Sequence, residues 1–300
     1  MPYPLTVPVL AVMVRTLSFS LGEGTDVKRS PEQPESYVLR GGQAGAERLR
    51  LLNRVKWPTT EQLLNKAGLR AGMRVLDFGC GGGEVTLRMA ALVGAEGEVV
   101  GIDLDPSILQ LAQQEAAGSN LPVTFRHLGA EELEEAAAYD FVYARYLLSH
   151  LQHPEVALEA MVRALRPGGR LAVEDIFFPG HVCYPPNAAF DRFVELYQAV
   201  VRAKGADPAI GPRLMGMALD AGLADVQVEL VVPVFREGEG KRVTQVTAEH
   251  IREAVLGTGL ATSTEFDAVV ADLEAFVDDE RTLMSIAPTF QVWGRKAIAC

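Results

Sequence analysis

The chain has 300 residues, 48% hydrophobic and 22% charged, and its 28 basic and 39 acidic side chains give a net charge of −11. This composition excludes a disordered, collagen-like or coiled-coil protein. The acidic charge argues against non-specific binding to nucleic acid or to an anionic membrane. Cys80, Cys183 and Cys300 form no CxxC pair. We therefore expect a reducing cytoplasm, with no disulfide framework and no zinc site.

The first 36 residues differ in character from the rest of the chain. Residues 4–14 are almost all apolar, but they are too few to span a bilayer as a helix and no basic segment precedes them. Residues 22–36 are rich in Gly, Pro, Ser and charged side chains, which is typical of a loop. We expect residues 1–36 to form an arm or extension, and residues 37–300 to form a single domain.

From residue 44 onward, short apolar runs alternate with helical stretches. The first helix is expected to break at Trp57-Pro58 and to restart over residues 59–67. The runs predict strands over 74–78, 99–103, 123–127, 141–144 and 171–173, and helices over 84–92, 106–117 and 154–165. This alternation indicates βαβ units and a parallel sheet that is covered on both faces.

The pattern changes after the fifth strand. An aromatic segment, residues 177–184, precedes a helix with Phe190, Phe193 and Tyr197 on one face, and we expect the two to form a lid and pocket wall. Further helices are predicted over 212–221 and 248–256 and from a capping box at Thr262, and further strands over 226–234 and 289–293. We place a cofactor-binding core at about residues 68–175, and the lid with the C-terminal helices at about 176–285.

The segment VLDFGCGGGE, residues 75–84, reads as a buried strand, a glycine-rich turn and the start of a helix. Such a turn lets a ligand approach the backbone and the free N–H groups of the helix. Glu84 stands where a dinucleotide fingerprint has its third glycine, and Asp77 and Glu84 would repel a pyrophosphate. Both suit a cofactor with a positive amino group. Asp103, at the end of the second strand, can accept hydrogen bonds from two ribose hydroxyls.

With these motifs the chain resembles the class I S-adenosylmethionine-dependent methyltransferases. VLDFGCGGG is similar to the first motif of that family and VVGIDLDP to the second, and AEEL, YDFVYAR and LRPGG match later motifs in order. The resemblance implies a Rossmann-like α/β fold: a doubly wound, mostly parallel seven-stranded sheet with helical insertions that form a lid. It also implies that S-adenosylmethionine is the cofactor.

The resemblance assigns ten residues to the cofactor: Asp77, Gly79, Cys80, Gly81, Asp103, Leu104, Ala130, Glu131, Arg145 and Tyr37. The glycine-rich turn, Asp77 and Arg145 would hold the methionine part. Asp103 would bind the ribose and Leu104 would pack on the adenine, with the Ala–Glu pair along the adenine edge. Gly129 departs from the Asp that the family often has there. Either Glu131 or a backbone group would replace it, or the adenine is held less tightly.

On the N-terminal side, Arg48 would join Tyr37 in closing over the cofactor.

Methyl transfer needs an aligned acceptor in a dry site, and it needs a base only when the acceptor must first lose a proton. His150, after the fourth strand, is the candidate catalytic base. No set of side chains has metal-ligand spacing, so we expect no metal.

The sequence thus predicts a methyltransferase that acts on a small, partly apolar molecule. It predicts no nucleic-acid and no membrane partner, and it leaves a homodimer open. A nicotinamide-dependent oxidoreductase and a non-catalytic module that only binds S-adenosylmethionine remain as alternatives. An Arg or Lys in the wall that faces the sulfur would favour an anionic acceptor, whereas an acidic wall would favour a neutral or cationic one.

Overall fold

The computed structural model describes residues 42–298. In this range the helices are α1 (Gly42–Ala67), α2 (Glu84–Val93), α3 (Pro106–Ala116), α4 (Pro154–Ala164), α5 (Ala188–Ala203), α6 (Leu214–Asp220), α7 (Glu239–Gly257) and α8 (Ser263–Asp278). The strands are β1 (Arg74–Phe78), β2 (Glu98–Asp103), β3 (Val123–His127), β4 (Tyr139–Arg145), β5 (Leu165–Ile176), β6 (Cys183–Tyr184), β7 (Leu223–Val231), β8 (Val234–Phe235), β9 (Leu283–Ser285) and β10 (Thr289–Lys296). Predictions on residues 1–36 and on Tyr37 fall outside the described residues.

Seven strands form the central sheet in the order β3-β2-β1-β4-β5-β10-β7. The first five strands of this order, from β3 through β1 to β5, pair in parallel, whereas β10 is antiparallel to both of its neighbours, β5 and β7. The expected mostly parallel, doubly wound Rossmann-like sheet is confirmed. The strand order reverses beside β1, and a ligand crevice forms at such a point, outside the carboxyl ends of the strands.

The sheet is buried between two helical layers. Successive residues of β1 point to opposite faces, so that Val75 packs among residues of α1 and α2, whereas Leu76 packs among residues of α4 and α6. Because both faces are covered, the central strands are runs of apolar residues rather than alternating ones. A third cluster joins α5, α7 and α8 through side chains such as Phe193, Ile251 and Phe266.

A second, antiparallel sheet of three short strands lies in the order β6-β9-β8. The sequence analysis does not predict it, because strands of two or three residues carry no measurable periodicity. The long strand predicted over 226–234 is in fact two strands, β7 and β8. Pro233 separates them, since a proline has no N–H to donate to a ladder.

The predicted break in the first helix is wrong. Helix α1 continues through Pro58 as a single helix of 26 residues. Trp57 packs in the core and its ring faces Arg88 at 4.6 Å, while Leu63 and Leu64, after the proline, are fully buried. Packing on both sides of Pro58 therefore offsets the cost of about 3 kcal/mol that an interior proline carries.

Other boundaries follow local chemistry as expected. Asp105 caps α3 by accepting hydrogen bonds from the N–H groups of Ser107 and Ile108. The capping box at the start of α8 is confirmed, with Thr262 and Glu265 bonded reciprocally. Of the helices in residues 42–298, none is both long and apolar enough to cross a membrane.

Candidate active site

A cavity of about 280 Å³ lies at the carboxyl ends of β1, β2, β4 and β5, and side chains of α1, α5 and α7 also line it. We distinguish two parts. The glycine half is lined by the turn after β1 and by the residues that follow β2 and β3: Asp77, Gly79, Gly81, Asp103, Leu104 and Ala130. The aromatic half is lined by residues after β4 and β5 and on α5 and α7: His150, Phe178, His181, Phe193, Tyr197 and Thr244.

The turn after β1 needs glycine for steric reasons. Gly79 and Gly81 have positive φ angles of 76° and 53°, which side-chain-bearing residues rarely adopt. A Cβ at Gly79 would also lie 3.0 Å from the Leu147 side chain. The N–H groups of Gly79 and Cys80 donate to the Ile102 carbonyl at 2.8 and 2.9 Å, which ties the turn to β2. The turn is thus a fixed, open backbone surface in the cavity.

Asp103 is anchored beside this turn. Its Oδ2 accepts the N–H of Gly81 at 2.9 Å and its Oδ1 accepts the N–H of Asp105 at 3.0 Å. Burial raises the pKa of Asp103, and these backbone donors counter that shift. Each carboxylate oxygen has a further lone pair, so Asp103 can accept additional hydrogen bonds from a ligand hydroxyl.

The departure at Gly129 has a packing reason. A Cβ at Gly129 would lie 2.9 Å from Leu104 Cδ2, so a larger residue would displace the Leu104 side chain that lines the cavity. The Gly129 N–H donates to Glu132 Oε2 at 2.9 Å. Glu131, which the resemblance assigned to this place, is exposed and does not line the cavity. Glu132 is the acidic residue that holds this turn, and Ala130 is the member of the pair that lines the cavity. The role of Glu131 at the adenine edge stays a prediction.

Asp77 is a buried carboxyl group at the end of β1. Burial raises its pKa to about 7, and the nearby charges of Asp103 and Glu84 act in the same direction. The Thr86 hydroxyl, which donates to Asp77 Oδ2 at 2.6 Å, and the charge of Arg145 lower it. A positive ligand group next to Asp77 would favour its ionised form.

Arg145 belongs to a buried polar network that the sequence analysis does not predict as a unit. Glu174 lies at its centre, and its Oε1 accepts hydrogen bonds from Thr60 and Tyr143, both at 2.5 Å. Arg145 Nη1 donates to Thr60 Oγ1 at 3.3 Å. Burial raises the pKa of Glu174, but Lys56 and Arg145 reverse the effect and keep it lowered overall. The network fixes Arg145 and Tyr143 in the cavity wall.

Tyr146 follows Arg145 and lines the same cavity with a strained backbone. Its φ of 53° is unusual for a residue with a side chain, and conformations of this kind cluster at functional sites. Its hydroxyl lies 3.0 Å from Thr289 Oγ1, which also accepts a hydrogen bond from Lys56 Nζ at 3.1 Å. The ring is thereby held in place at the junction of the two halves.

The aromatic half is built from stacked rings. Phe178 and Tyr197 lie parallel with centroids 3.7 Å apart, and the His181 ring is 4.3 Å from Phe178. Burial lowers the pKa of both His150 and His181 to about 4, and the charge of Arg48 adds to the shift at His150. Both imidazoles are therefore neutral at pH 7, and His150 is a weaker base than an unperturbed histidine.

The structure brings most of the predicted residues together. Those that line the cavity are Asp77, Gly79, Cys80, Gly81, Asp103, Leu104, Ala130, Arg145 and His150. Glu131 does not, and Tyr37 lies outside the described residues. The sequence analysis did not single out Asn53, Tyr143, Tyr146 or Thr244, which reach the cavity from helices or strand ends. Within residues 42–298, no group of three His, Cys, Asp or Glu side chains could hold a metal ion.

Comparison with known proteins shows what this arrangement is similar to. Residues 69–203, from just after α1 to the end of α5, match the sequence profile of a family described as a methyltransferase domain. This part of the chain is thus similar to a methyltransferase domain. The order of the seven sheet strands and the glycine-rich turn beside Asp103 agree with the resemblance drawn from the sequence motifs.

Curated relatives match this chain over part of their length. The chain is 36% identical over 118 residues to a ubiquinone/menaquinone biosynthesis C-methyltransferase of Ectopseudomonas mendocina, covering 38% of this chain and 46% of that protein. It is 39% identical over 103 residues to a ubiquinone biosynthesis O-methyltransferase of Xanthomonas oryzae, covering 34% of this chain and 42% of that protein. The chain thus spans less than half the length of these relatives.

The fold also agrees with a solved structure. The YcgJ protein from Bacillus subtilis superposes with a TM-score of 0.54 at 18% sequence identity, covering 80% of this chain and 98% of that chain. At this level of identity the likeness concerns the fold alone.

Proposed function

We propose that this protein is an S-adenosylmethionine-dependent methyltransferase that methylates a small, partly apolar molecule. The observation that carries the proposal is the joining of two sites in one cavity. Asp103 and the glycine-rich turn supply hydrogen-bonding groups for a nucleoside cofactor, and the stacked rings of Phe178 and Tyr197 line the adjoining space. The two relatives are named as a C-methyltransferase and an O-methyltransferase. Their names therefore support methyl transfer as the reaction and leave the acceptor atom open.

The residues of the glycine half fit such a cofactor. Asn53 Oδ1 is buried and lacks a hydrogen-bond partner, although Asn53 lines the cavity and its Nδ2 donates to Glu84 Oε2 at 2.9 Å. A ligand amino group would satisfy this oxygen and would also favour the ionised form of Asp77. Asp103 would accept from the ribose hydroxyls, and Leu104, with half of its side chain exposed, would cover the adenine.

A pyrophosphate cofactor fits this cavity less well. Glu84 is the first residue of α2, where a dinucleotide would place its phosphates. Its carboxyl group lines the cavity, and burial raises its pKa. Anionic phosphates would meet Asp77, Glu84 and Asp103 together, so the nicotinamide-dependent alternative loses support.

In the proposed reaction the cofactor supplies a methyl group activated by a sulfonium. The residues of this chain align the acceptor and exclude water, which is the main requirement of an in-line displacement. Phe178, Phe193 and Tyr197 form the dry wall. His150 is neutral at pH 7 and buried in the same wall, so it can orient an acceptor group through a hydrogen bond, while its lowered pKa makes it a weak proton acceptor.

Calorimetric titration with S-adenosylmethionine and S-adenosylhomocysteine tests the proposal. We expect binding by the wild type and at least a tenfold loss for Asp103→Ala, because each ribose hydroxyl loses a charged acceptor. Asp140→Ala, a substitution at the opposite end of the sheet, serves as the control and should bind normally. Failure of the wild type to bind would reject the cofactor. Binding without turnover of any acceptor in a methyl-transfer screen would favour the module that only binds.

The remaining features of the proposal rest on the sequence. A cytoplasmic location agrees with the free thiols of Cys80 and Cys183. A single methyltransferase domain over residues 37–300, with a small-molecule acceptor and no nucleic-acid partner, agrees with the helices that follow β5 and line the aromatic half. Size-exclusion chromatography with light scattering would establish whether the protein is a monomer or a homodimer.

A further inference from the structure

Arg48 is a buried cation in the wall of the cavity. It lies on α1 with 7% of its surface exposed, and it lines the cavity together with His150. Its Nε is buried and has no hydrogen-bond partner. Within residues 42–298, no carboxylate forms an ion pair with its guanidinium. A buried charge of this kind is costly unless an anion pairs with it.

A second unsatisfied group faces the same cavity from α7. Thr244 is 2% exposed, and its Oγ1 is buried and has no hydrogen-bond partner. Thr247, one turn further along, also lines the cavity, but its hydroxyl already donates to the Val243 carbonyl at 2.7 Å. Most buried polar groups in proteins are hydrogen-bonded. Besides Asn53, which faces the glycine half, Arg48 Nε and Thr244 Oγ1 are exceptions in the lining of this cavity, and they indicate a polar ligand group between α1 and α7.

We assign this ligand group to the aromatic half, because Arg48 lines the cavity together with His150 and Thr244 of that half. The charge of Arg48 acts on His150, which belongs to that half, whereas the carboxylates Asp77 and Asp103 belong to the other. The rest of the aromatic half is apolar, with Ile176, Phe178 and Phe193 in its lining. A molecule that fits here therefore combines an apolar body with one anionic group.

We propose that Arg48, with Thr244 as a second hydrogen-bond donor, binds a carboxylate group of an otherwise apolar acceptor substrate. The inference builds on the proposed function, because it names the chemical class of the acceptor in the same cavity. A guanidinium is the side chain best suited to this task, since it stays charged and pairs with both carboxylate oxygens. Arg48 thereby determines which acceptors are bound and in which orientation.

Calorimetry with a matched pair of probes tests the proposal. The probes are 2-naphthoate and its neutral amide, 2-naphthamide, titrated with and without saturating S-adenosylhomocysteine. We expect the wild type to bind the carboxylate at least tenfold more tightly than the amide. Arg48→Gln should abolish this preference, and Thr244→Val should reduce it about threefold to tenfold. No binding of 2-naphthoate, or equal binding of the two probes, would overturn the proposal.

Two control variants separate a specific contact from general effects. Arg50→Gln removes an exposed arginine of the same helix, which pairs with Glu115 at 2.5 Å, and it should keep the preference. Thr247→Val removes a hydroxyl that is already satisfied inside the protein, and it should do the same. Thermal unfolding of each variant shows whether it is folded, and Arg48→Lys, which keeps the charge, should retain a partial preference.

The carboxylate of the cofactor is the competing partner for Arg48. If Arg48 binds that carboxylate, Arg48→Gln lowers the affinity for S-adenosylhomocysteine. The affinity for 5′-methylthioadenosine, which has no carboxylate, then stays unchanged. That result overturns the acceptor assignment. Unchanged affinity of Arg48→Gln for S-adenosylhomocysteine supports it. The proposed function fails separately: no binding of S-adenosylhomocysteine by the wild type, with an intact preference for 2-naphthoate, would reject the cofactor and keep the carboxylate site.

Discussion

At the scale of single residues, the cavity is controlled by charged groups that folding removes from water. Asp77 and His150 are both nearly inaccessible, yet burial shifts their pKa values in opposite directions, to about 7 and about 4. In each case the neutral form is favoured, as desolvation requires. A pKa of about 7 means that Asp77 is partly protonated at neutral pH, and a positive ligand group beside it would favour its ionised form.

The pKa of Asp77 predicts a pH-dependent stability. A folded-state value of about 7, above the ordinary 3.8, means that the folded protein binds the proton more tightly. The contribution of Asp77 to the free energy of unfolding is fully present below about pH 4 and is lost as the pH rises to about 7. The Asp77→Asn variant has no such pH-dependent loss. The free energy of unfolding of the variant, minus that of the wild type, should therefore rise by on the order of 1 kcal/mol per pH unit from pH 5 to 7. Urea denaturation at several pH values measures the difference.

The comparison with the wild type matters because other groups titrate as well. His150 and His181 have lowered pKa values, so their contribution to stability increases as the pH rises through the range from about 4 to 6.5. These histidines are present in both proteins, and their effect cancels in the difference. A difference that does not change with pH would show that Asp77 is ionised throughout this range.

The same carboxyl group predicts a pH-dependent affinity. If the ionised form of Asp77 binds the amino group of S-adenosylhomocysteine, the dissociation constant should rise up to tenfold per pH unit below about pH 7. Asp77→Asn should bind more weakly at pH 8 and should lose this dependence. Calorimetry between pH 5.5 and 8 measures both, and 5′-methylthioadenosine, which lacks the amino group, provides the control. Parallel profiles for the two ligands would contradict the assignment.

At the scale of secondary-structure elements, the two ends of α2 differ in how tightly they are packed. Gly83 before the helix and Gly94 after it both have positive φ angles, 79° and 68°. A Cβ at Gly83 would lie 2.7 Å from the ring of Phe125 and 2.9 Å from Ala112 Cβ, whereas a Cβ at Gly94 would meet nothing within 4 Å. The two positions therefore differ in backbone conformation, with ψ of 3° at Gly83 and −174° at Gly94, and also in the space for a side chain.

This difference predicts unequal effects of one substitution. Gly94→Ala should cost about 1–3 kcal/mol, because the φ and ψ of Gly94 are essentially restricted to glycine. Gly83→Ala should cost about 1–2 kcal/mol for its left-handed backbone and a further 1–3 kcal/mol, roughly, because the added methyl group overlaps the core. Urea denaturation of both variants measures the two values. Because the turn also lines the cavity, Gly83→Ala should also weaken the binding of S-adenosylhomocysteine. Equal losses of unfolding free energy at the two sites would contradict the packing argument.

The elements also show what the sequence can and cannot predict. The parallel strands and their helices were predicted from apolar runs and capping residues, because these signals are local. Helix α1 was not, since the burial of Leu63 and Leu64 that keeps it continuous through Pro58 depends on distant strands. The glycine half was predicted through its motif. Thr244 was missed, because α7 begins at Glu239 rather than at residue 248 and is held by contacts with α1 and α8.

At the scale of the whole molecule, Glu174 joins parts of the chain that are far apart in sequence. Thr60 on α1, Tyr143 on β4 and Gln291 on β10 all donate to its carboxylate, at distances between 2.5 and 2.8 Å. Lys56, which is fully buried, stabilises the charge from α1. The helix that covers the cavity, the central strands and the last strand thus meet at one carboxyl group.

This convergence predicts a strong and non-additive effect on stability. Glu174→Ala should cost about 3–5 kcal/mol, because it leaves three buried donors unsatisfied and removes the negative charge that offsets the buried Lys56. The double variant Glu174→Ala with Lys56→Met should cost less than the sum of the single changes, because the second removes the uncompensated charge.

Urea denaturation of the four proteins in the cycle measures this coupling. Glu229→Ala is the matched control, since Glu229 on β7 pairs with Lys66 of α1 at 2.6 Å with both side chains about 40% exposed or more. That exposed pair also links the first helix to the sheet, yet it should contribute less than about 1 kcal/mol. Additive effects in the cycle, or equal costs at the buried and the exposed pair, would show that Glu174 acts only through its hydrogen bonds. Coupling above about 1 kcal/mol would establish that burial of the charge holds α1 over the cavity.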